Sequence, residues 1–491
     1  MAATRTLLHS ELPRSVSQSD RGRWLALICI AVAQLMIALD ATVVNIALPS
    51  IQAGLQFSDA DRQWIVSAYT LAFGGLLLLG GRIADSVKVG RRRAFLIGLI
   101  GFAAASALSG AAGSLGLLAG ARAVQGVFAA LLAPTALSLL AIMFTEPHER
   151  ARAFGLYGAI AASGGAIGLL LGGVLTQFLE WRWCLYVNVP IALLAALAGR
   201  AVLPDARQPT RESSRTRLDL LGLVLASSGL VAVVYACSQA ATRGLNASLV
   251  LALFGGGALA LGLFAWREAK TTEPLLPPHL VLDRQRGAAY LCTLLAIGGI
   301  FGAFLVLTYE LQVVLGFTPL IAGLAFLPMS ISTFLVATLI APRMLPRFSP
   351  RVLMVPGFLA AAAGMAVLSQ LDVNVGYATG ILPAEILLGL GIASVMVPAA
   401  SLGTSRVGLR DAGIASAALN SAQQIGGSLG TAVLSSVAAA TTATYLTSTV
   451  TAARPEALMH GYDTAAVWGA MFLVAGAIVA LSIPSRREEV L

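Results

Sequence analysis

Charge is what this chain has least of. Only 11% of its 491 residues are Asp, Glu, Lys or Arg, against 57% hydrophobic. A water-soluble fold of this length needs far more charge to cover its surface, so a soluble globular protein is excluded. Lysine is nearly absent. Lys88 and Lys270 are the only two, and neither has the Gly before and Ser or Thr after that a P-loop requires. ATP hydrolysis by that route is excluded, and no metalloprotease, kinase or nucleophile-elbow motif is present. The four histidines (His9, His148, His279, His460) fall in tails or loops. The four cysteines (Cys29, Cys184, Cys237, Cys292) lie in or beside apolar runs without metal-ligand spacing. No metal, cofactor or enzymatic activity is expected. The first 23 residues are polar and lack the short apolar core of a signal peptide, so they read as a tail before a first span.

Apolar runs of about 20 residues, enough to cross about 30 Å of hydrocarbon, recur along the whole length. The fold class is all-α, a polytopic membrane protein. Fourteen spans are expected near 24–46, 62–81, 93–113, 116–143, 152–178, 184–203, 218–238, 246–266, 288–311, 320–341, 352–371, 378–400, 412–440 and 464–484. Trp24, Trp64, Trp181, Trp183 and Trp266 fall near span ends, where interfacial Trp belongs. With the N-terminus inside, 27 of the 32 Lys and Arg fall on inner segments, four (Arg62, Arg182, Arg243, Arg454) fall outside, and Arg122 sits within a span. By the positive-inside rule both termini are cytoplasmic. The net charge of +9 is then met by anionic lipid rather than nucleic acid. The polar stretches "RAVLPDARQPTRESSRTRLD" and "WREAKTTEPLLPPHLVLDRQRG" divide the chain into a tail (1–23), six helices (24–203), a linker (204–217), a helix pair (218–266), a linker (267–287), six helices (288–484) and a tail (485–491).

Several stretches carry a resemblance. "LDATVVNIALPSI" resembles the first-span signature of the fourteen-helix drug:proton antiporter branch of the major facilitator superfamily. "GGRIADSVKVGRRRAF" is similar to that superfamily's loop between spans two and three. "ARAVQGVFAALLAP" resembles its fourth-span motif, and "GGAIGLLLGGVLTQFLEWRWCLYVNVP" the antiporter motif of span five with its continuation. "AGIASAALNSAQQIGGSLGTAVL" is similar to a core helix of the second half. Gly90 comes five residues after Asp85 where the loop motif has three, and Leu169 follows Gly168 where the antiporter motif has Pro. The second loop copy, "APRMLPRFSPRVL", keeps Arg343, Arg347 and Arg351 but has Pro346 and Ser349 in place of an acid and Gly. The resemblance implies a six-plus-six core with two extra central helices, acting as a monomer in the cell membrane. It implies proton-coupled export of small amphipathic compounds by alternating access. Export of one dedicated metabolite, lipid or siderophore is the alternative, and a non-transporting receptor a more distant one.

Coupling to a proton gradient needs a titratable group inside the membrane. Three acids fall within the expected spans: Asp40, Glu310 and Glu385. Asp40 lies about five residues from the outer end of span one and Arg122 about six from that of span four. Their depths agree within about 2 Å at 1.5 Å per residue. The resemblance implies that both helices face the central cavity. An Asp40–Arg122 pair is expected, with Gln125 one turn away. It is read as the proton-coupling site, because ionisable residues in membrane spans are functional by default; a static ion pair that fixes helix packing is the alternative. Glu310 and Glu385 are candidates for a second titratable or substrate-contacting site, or else solvated rim acids. Gln34, Asn45, Asn420, Gln423 and Gln424 are candidate polar cavity residues. The resemblance implies a gate at Asp85, beside Arg91, Arg92, Gly81 and Gly90, with Asp85 drawn to the N-terminal end of the helix that starts near Asp411. Gly164, Gly168, Gly172 and Gly173 line span five with small residues that permit close helix approach.

Overall fold

The computed structural model describes residues 20–59, 61–85, 89–144, 146–204, 219–244, 246–271, 274–371, 376–405, 412–448 and 454–484. The long helical stretches are α1 (Asp20–Leu55), α2 (Trp64–Asp85), α3 (Arg91–Gly110), α4 (Leu115–Met143), α5 (Pro147–Phe178), α6 (Trp183–Val202), α7 (Leu220–Arg243), α8 (Ser248–Lys270), α9 (Arg284–Val314), α10 (Pro319–Met344), α11 (Pro350–Leu368), α12 (Tyr377–Gly403), α13 (Ala412–Ser448) and α14 (Arg454–Leu481). Among the described residues no strand occurs, and thirteen of these stretches are long and apolar enough to cross a bilayer; the apolar run of α2, Trp64–Leu77, is shorter. Closed helices suit a bilayer because each satisfies its own backbone groups.

The main departure from expectation is α1. It runs nine residues past the expected end at 46, through Pro49, to Leu55. A proline removes one N–H and the bond to the carbonyl four residues back, yet the residues on either side pack. Val44, Ala47, Leu48 and Ile51 are all buried. Asp40 therefore lies mid-helix rather than near an end. Three π-helical turns, Glu310–Val314, Val336–Ile340 and Tyr377–Ile381, also escaped the hydropathy reading, which cannot see one inserted residue. Most of the first expected linker falls outside the described residues. The second is shorter than expected, because α8 continues to Lys270 and α9 begins at Arg284.

Packing divides the helices into α1–α6 and α9–α14, each around its own apolar core. The halves meet where α2 packs on α13 and α5 on α10. α7 lies against both α2 and α13, with Leu71, Val234 and Ala432 buried together, and α8 packs on α7. A further apolar cluster straddles the halves at the end where α1 finishes: Val43, Val44 and Ile51 of α1 with Val306 and Tyr309 of α9 and Tyr462 of α14. Polar ties reinforce it. Tyr309 donates to Gln52 Oε1 at 2.6 Å, Gln312 to the Ile46 carbonyl at 2.9 Å, and the Leu320 N–H to Gln177 Oε1 at 3.2 Å. These contacts tie the halves together at the distal face, opposite the one where α1 begins.

α7 and α8 are tied together at the opposite, terminal face. Asp219 caps α7 by accepting from the Gly222 N–H at 2.8 Å and takes the Arg267 Nε at 2.9 and 3.0 Å. Arg82, at the end of α2, donates to the Pro274 carbonyl just beyond α8, so the loop-motif arginine holds the segment that leads into the second half. Burial works to raise the Asp219 carboxyl, but the Gly222 N–H and the Arg267 guanidinium outweigh it and hold the group below the ordinary carboxylate range. A carboxyl depressed on folding stabilises above its unfolded value, about 3.9, and that contribution is lost as pH falls through the folded value. The α7–α8 anchor is therefore expected to loosen only in acid. Proteolysis near residue 219 across a pH series should show cleavage rising below about pH 4 in the wild type, and raised, pH-independent cleavage in Asp219→Asn. Equal acid sensitivity in both would mean that another group carries it.

Candidate functional site: a buried carboxylate at the junction of five helices

Asp40 is fully buried, and four helices besides its own converge on it. Arg122 of α4 donates from Nη1 to Asp40 Oδ2 at 2.6 Å. Gln125, one turn on, donates to Asp40 Oδ1 at 2.8 Å, and Asn188 of α6 donates to the same oxygen at 2.8 Å. Both amides also reach Ser106 Oγ of α3, at 3.3 and 3.1 Å, and Ser106 donates to the Leu185 carbonyl at 2.7 Å. The guanidinium is held just as firmly. Nη1 also donates to Gln125 Oε1 at 2.9 Å, Nε donates to the Ile65 carbonyl of α2 at 3.2 Å, and Cζ stands 4.4 Å from the centre of the Tyr69 ring.

The expected pair is thus present although the depth argument placed Asp40 too near a helix end. What the pair does not do is look across the halves. Every partner lies on α2, α3, α4 or α6. Three donors meet on one carboxylate, and such a buried pair is sustained only when its remaining hydrogen-bonding positions are filled. Sequence reasoning missed Asn188, Ser106 and Tyr69. A polar residue within an apolar run was the available signal for the first two, and Asn188 stands in the "NVP" continuation of the antiporter motif.

The other expected residues separate. Glu310 is buried at the start of a π turn and is no rim acid. Glu385 is completely buried on α12, which also rules out a solvated rim position. Gln34 accepts from the Tyr157 hydroxyl at 2.6 Å. Asn45 is buried and donates to the Ala41 carbonyl of its own helix at 3.3 Å. Asn420 bonds back to Ser416, and Gln423 and Gln424 keep partial exposure, Gln424 lying against Gly74 of α2. The side chain of Asp85, and Asp411, lie outside the described residues. Gly90 precedes α3 with φ +74°, a conformation in which glycine alone is unstrained. Gly81 faces Pro134, Arg92 donates to the Arg200 carbonyl, and Arg91 opens α3. On α5, Gly164, Gly168 and Gly172 face α1, where added Cβ atoms would meet Ala38, Thr42 and Val43. Gly173 faces the other half, against Pro319 and Leu320 of α10.

Arg62, expected in an outer loop, is instead buried at the distal seam. Its Cζ lies 4.2 Å from the centre of the Tyr309 ring and 5.5 Å from that of Tyr462, and Nη1 donates to the Tyr462 hydroxyl at 3.2 Å.

The family pattern described as Major Facilitator Superfamily matches residues 30–431. The chain belongs to the major facilitator superfamily. It is 50% identical over 474 residues to the puromycin resistance protein pur8 of Streptomyces alboniger, covering 96% of this chain and 93% of that protein. It is 39% identical over 461 residues to the cephamycin export protein CmcT of Amycolatopsis lactamdurans, covering 94% and 92%. It is 33% identical to the multidrug efflux pump LfrA of Mycolicibacterium smegmatis, covering 86% and 82%. Among solved structures, a bacterial homologue of the human lysosomal transporter Spinster, inward-facing and unoccupied, superposes with a TM-score of 0.65 at 19% identity, covering 95% of this chain and 98% of that one. The superfamily fold of this multi-pass membrane transporter accounts for the two facing halves and their α2–α13 and α5–α10 seams.

Proposed function

We propose that this transporter exports antibiotic-like amphipathic compounds in exchange for protons, with Asp40, Arg122 and Gln125 as its proton-coupling centre. The observation that carries the reading is a fully buried, triply hydrogen-bonded carboxylate in a chain with near full-length similarity to resistance and export proteins. In this reading fourteen helices span the membrane, α2 included, and α7 and α8 are additions to a six-plus-six core. Both termini face the cytoplasm, so the distal face, where the halves are tied together, is the outer one. One monomer suffices, since each half supplies its own core. Protonation of Asp40 would release Arg122 from its strongest partner, and with it the tie between α1 and α4. One proton crossing one pH unit and 100 mV supplies about 3.7 kcal/mol, enough to hold a neutral compound at a gradient of several hundred-fold.

The test is efflux from vesicles under an imposed pH gradient, with puromycin and a panel of unrelated amphipathic compounds. Movement of several compounds supports broad export, movement of one supports a dedicated exporter, and movement unaffected by collapse of the gradient removes proton coupling.

A further inference from the structure

Glu385 is completely buried in the second half, far along the chain from the Asp40 centre. Its Oε1 has no hydrogen-bond partner, and Oε2 has one neighbour, the Tyr377 hydroxyl, at 3.2 Å. That hydroxyl also lies 2.7 Å from the Ala325 carbonyl of α10. A tyrosine has a single hydroxyl proton. The nearer carbonyl takes it, because a carbonyl has no proton to give. The remaining Tyr377–Glu385 contact then needs its proton from the carboxyl. A bare carboxylate here would leave one charged oxygen unpaired in an apolar setting, which is unfavourable.

We propose that Glu385 carries a proton in this state and that, with Tyr377, it forms a second proton-holding site, in the half of the molecule that lacks Asp40. The proposal rests on the proton-coupled reading for its role in transport, but not for the protonation itself. Other titratable groups on the packed elements are turned elsewhere or distant. Arg343 and Arg351 lie at the terminal-face ends of α10 and α11, and Tyr290 of α9 bonds to Gly403 at that same end. Cys292 points at the Gly476 carbonyl of α14, and Tyr309 faces Arg62. Glu310 lies at the distal end of α9, on the side of Tyr462. Tyr445 of α13 stacks beside His460.

The position gives the proton something to act on. Ala325 ends the α10 segment Pro319–Ala325, which packs on α5 of the other half, and the helix restarts at Leu327 with Pro328 in its first turn. When Glu385 loses its proton to water, its O–H bond breaks and the carboxylate becomes a strong acceptor. The Tyr377 hydroxyl then turns from the Ala325 carbonyl to the carboxylate. Loss of one proton is thereby converted into release of the segment that closes the α5–α10 seam.

Infrared spectroscopy of the full-length protein in lipid, at neutral pH and without substrate, tests this independently of transport. The wild type is expected to show a protonated-carboxyl C=O band that disappears in Glu385→Gln. In Tyr377→Phe, which leaves the acid in place, the band should persist and move, because the hydroxyl that accepts its hydrogen bond is gone. Identical spectra for wild type and both variants would overturn the proposal even if efflux proves proton-driven. In reconstituted vesicles, Glu385→Gln is expected to lower the number of protons exchanged per substrate by one. An unchanged ratio would overturn the role in coupling, and because the band is read separately, absence of any proton-driven efflux would count against the functional reading alone.

Discussion

In an Asp40→Asn variant, efflux driven by an imposed pH gradient is expected to fall to background while the protein still folds and inserts. The side chain keeps its shape. Its carbonyl oxygen can still take the Arg122 guanidinium, and its new amide needs an acceptor where Gln125 and Asn188 now donate. Asn188 supplies one by turning its amide end for end, since its Oδ1 has no partner at present. What is lost is the negative charge. Arg122, 1% exposed, is left without compensation, and breaking a buried pair in this way costs about 3–5 kcal/mol. The variant should therefore melt earlier, and adding Arg122→Gln should recover stability without recovering transport. Vesicle efflux and thermal unfolding read the two consequences apart. Wild-type efflux rates in Asp40→Asn would leave the pair with a packing role only.

Two glycines five residues apart on α5 should fail in different ways. At Gly168 a side chain would collide with Thr42 Oγ1 and come within 3.0 Å of the Leu39 carbonyl, inside one half. At Gly173 a Cβ would lie 2.6 Å from the Pro319 carbonyl and 2.9 Å from Leu320 Cα, across the seam. Overpacking a helix contact costs about 1–3 kcal/mol. Gly168→Val is expected to lower yield and melting temperature, because α1 and α5 cannot separate without opening their shared core. Gly173→Val is expected to fold normally but to hold the distal face open, since the halves can part there. Spin-label distances between the distal ends of α5 and α10 should lengthen in Gly173→Val alone. The same melting loss and the same distances in both variants would show that the α5–α10 contact is part of the folded core and not a moving seam.

The Asp40–Arg122–Gln125 contact was legible because polar groups in long apolar runs are costly and stand out, and because the family resemblance set their two helices side by side. Where reasoning fell short, geometry made the meaning. The first span was expected to end near 46, and α1 runs on through Pro49 because flanking residues pack well enough to offset one lost bond. Arg62 looks like a loop base, and only the approach of α9 and α14, roughly 250 and 400 positions further along the chain, encloses it. Ser106 and Asn188 are unremarked polar residues until α3 and α6 bring them to one carboxylate. Tyr377 reaches Glu385 from a π turn, whose extra residue per turn no hydropathy average registers.

The burial of Arg62 between two tyrosines has a consequence for rhythm. A cation held over aromatic faces gains about 0.5–1 kcal/mol when exposed and about 2 or more when dry. It is strong enough to count and weak enough to undo. Parting the halves at this end would return the guanidinium to water, which hydrates it well, so the grip is exchanged for solvation and not simply forfeited. A catch of that kind sets no direction. In the proposed export cycle it would slow departure from the closed form by a modest factor and so lengthen the time in which a slow-diffusing guest could enter from the other side.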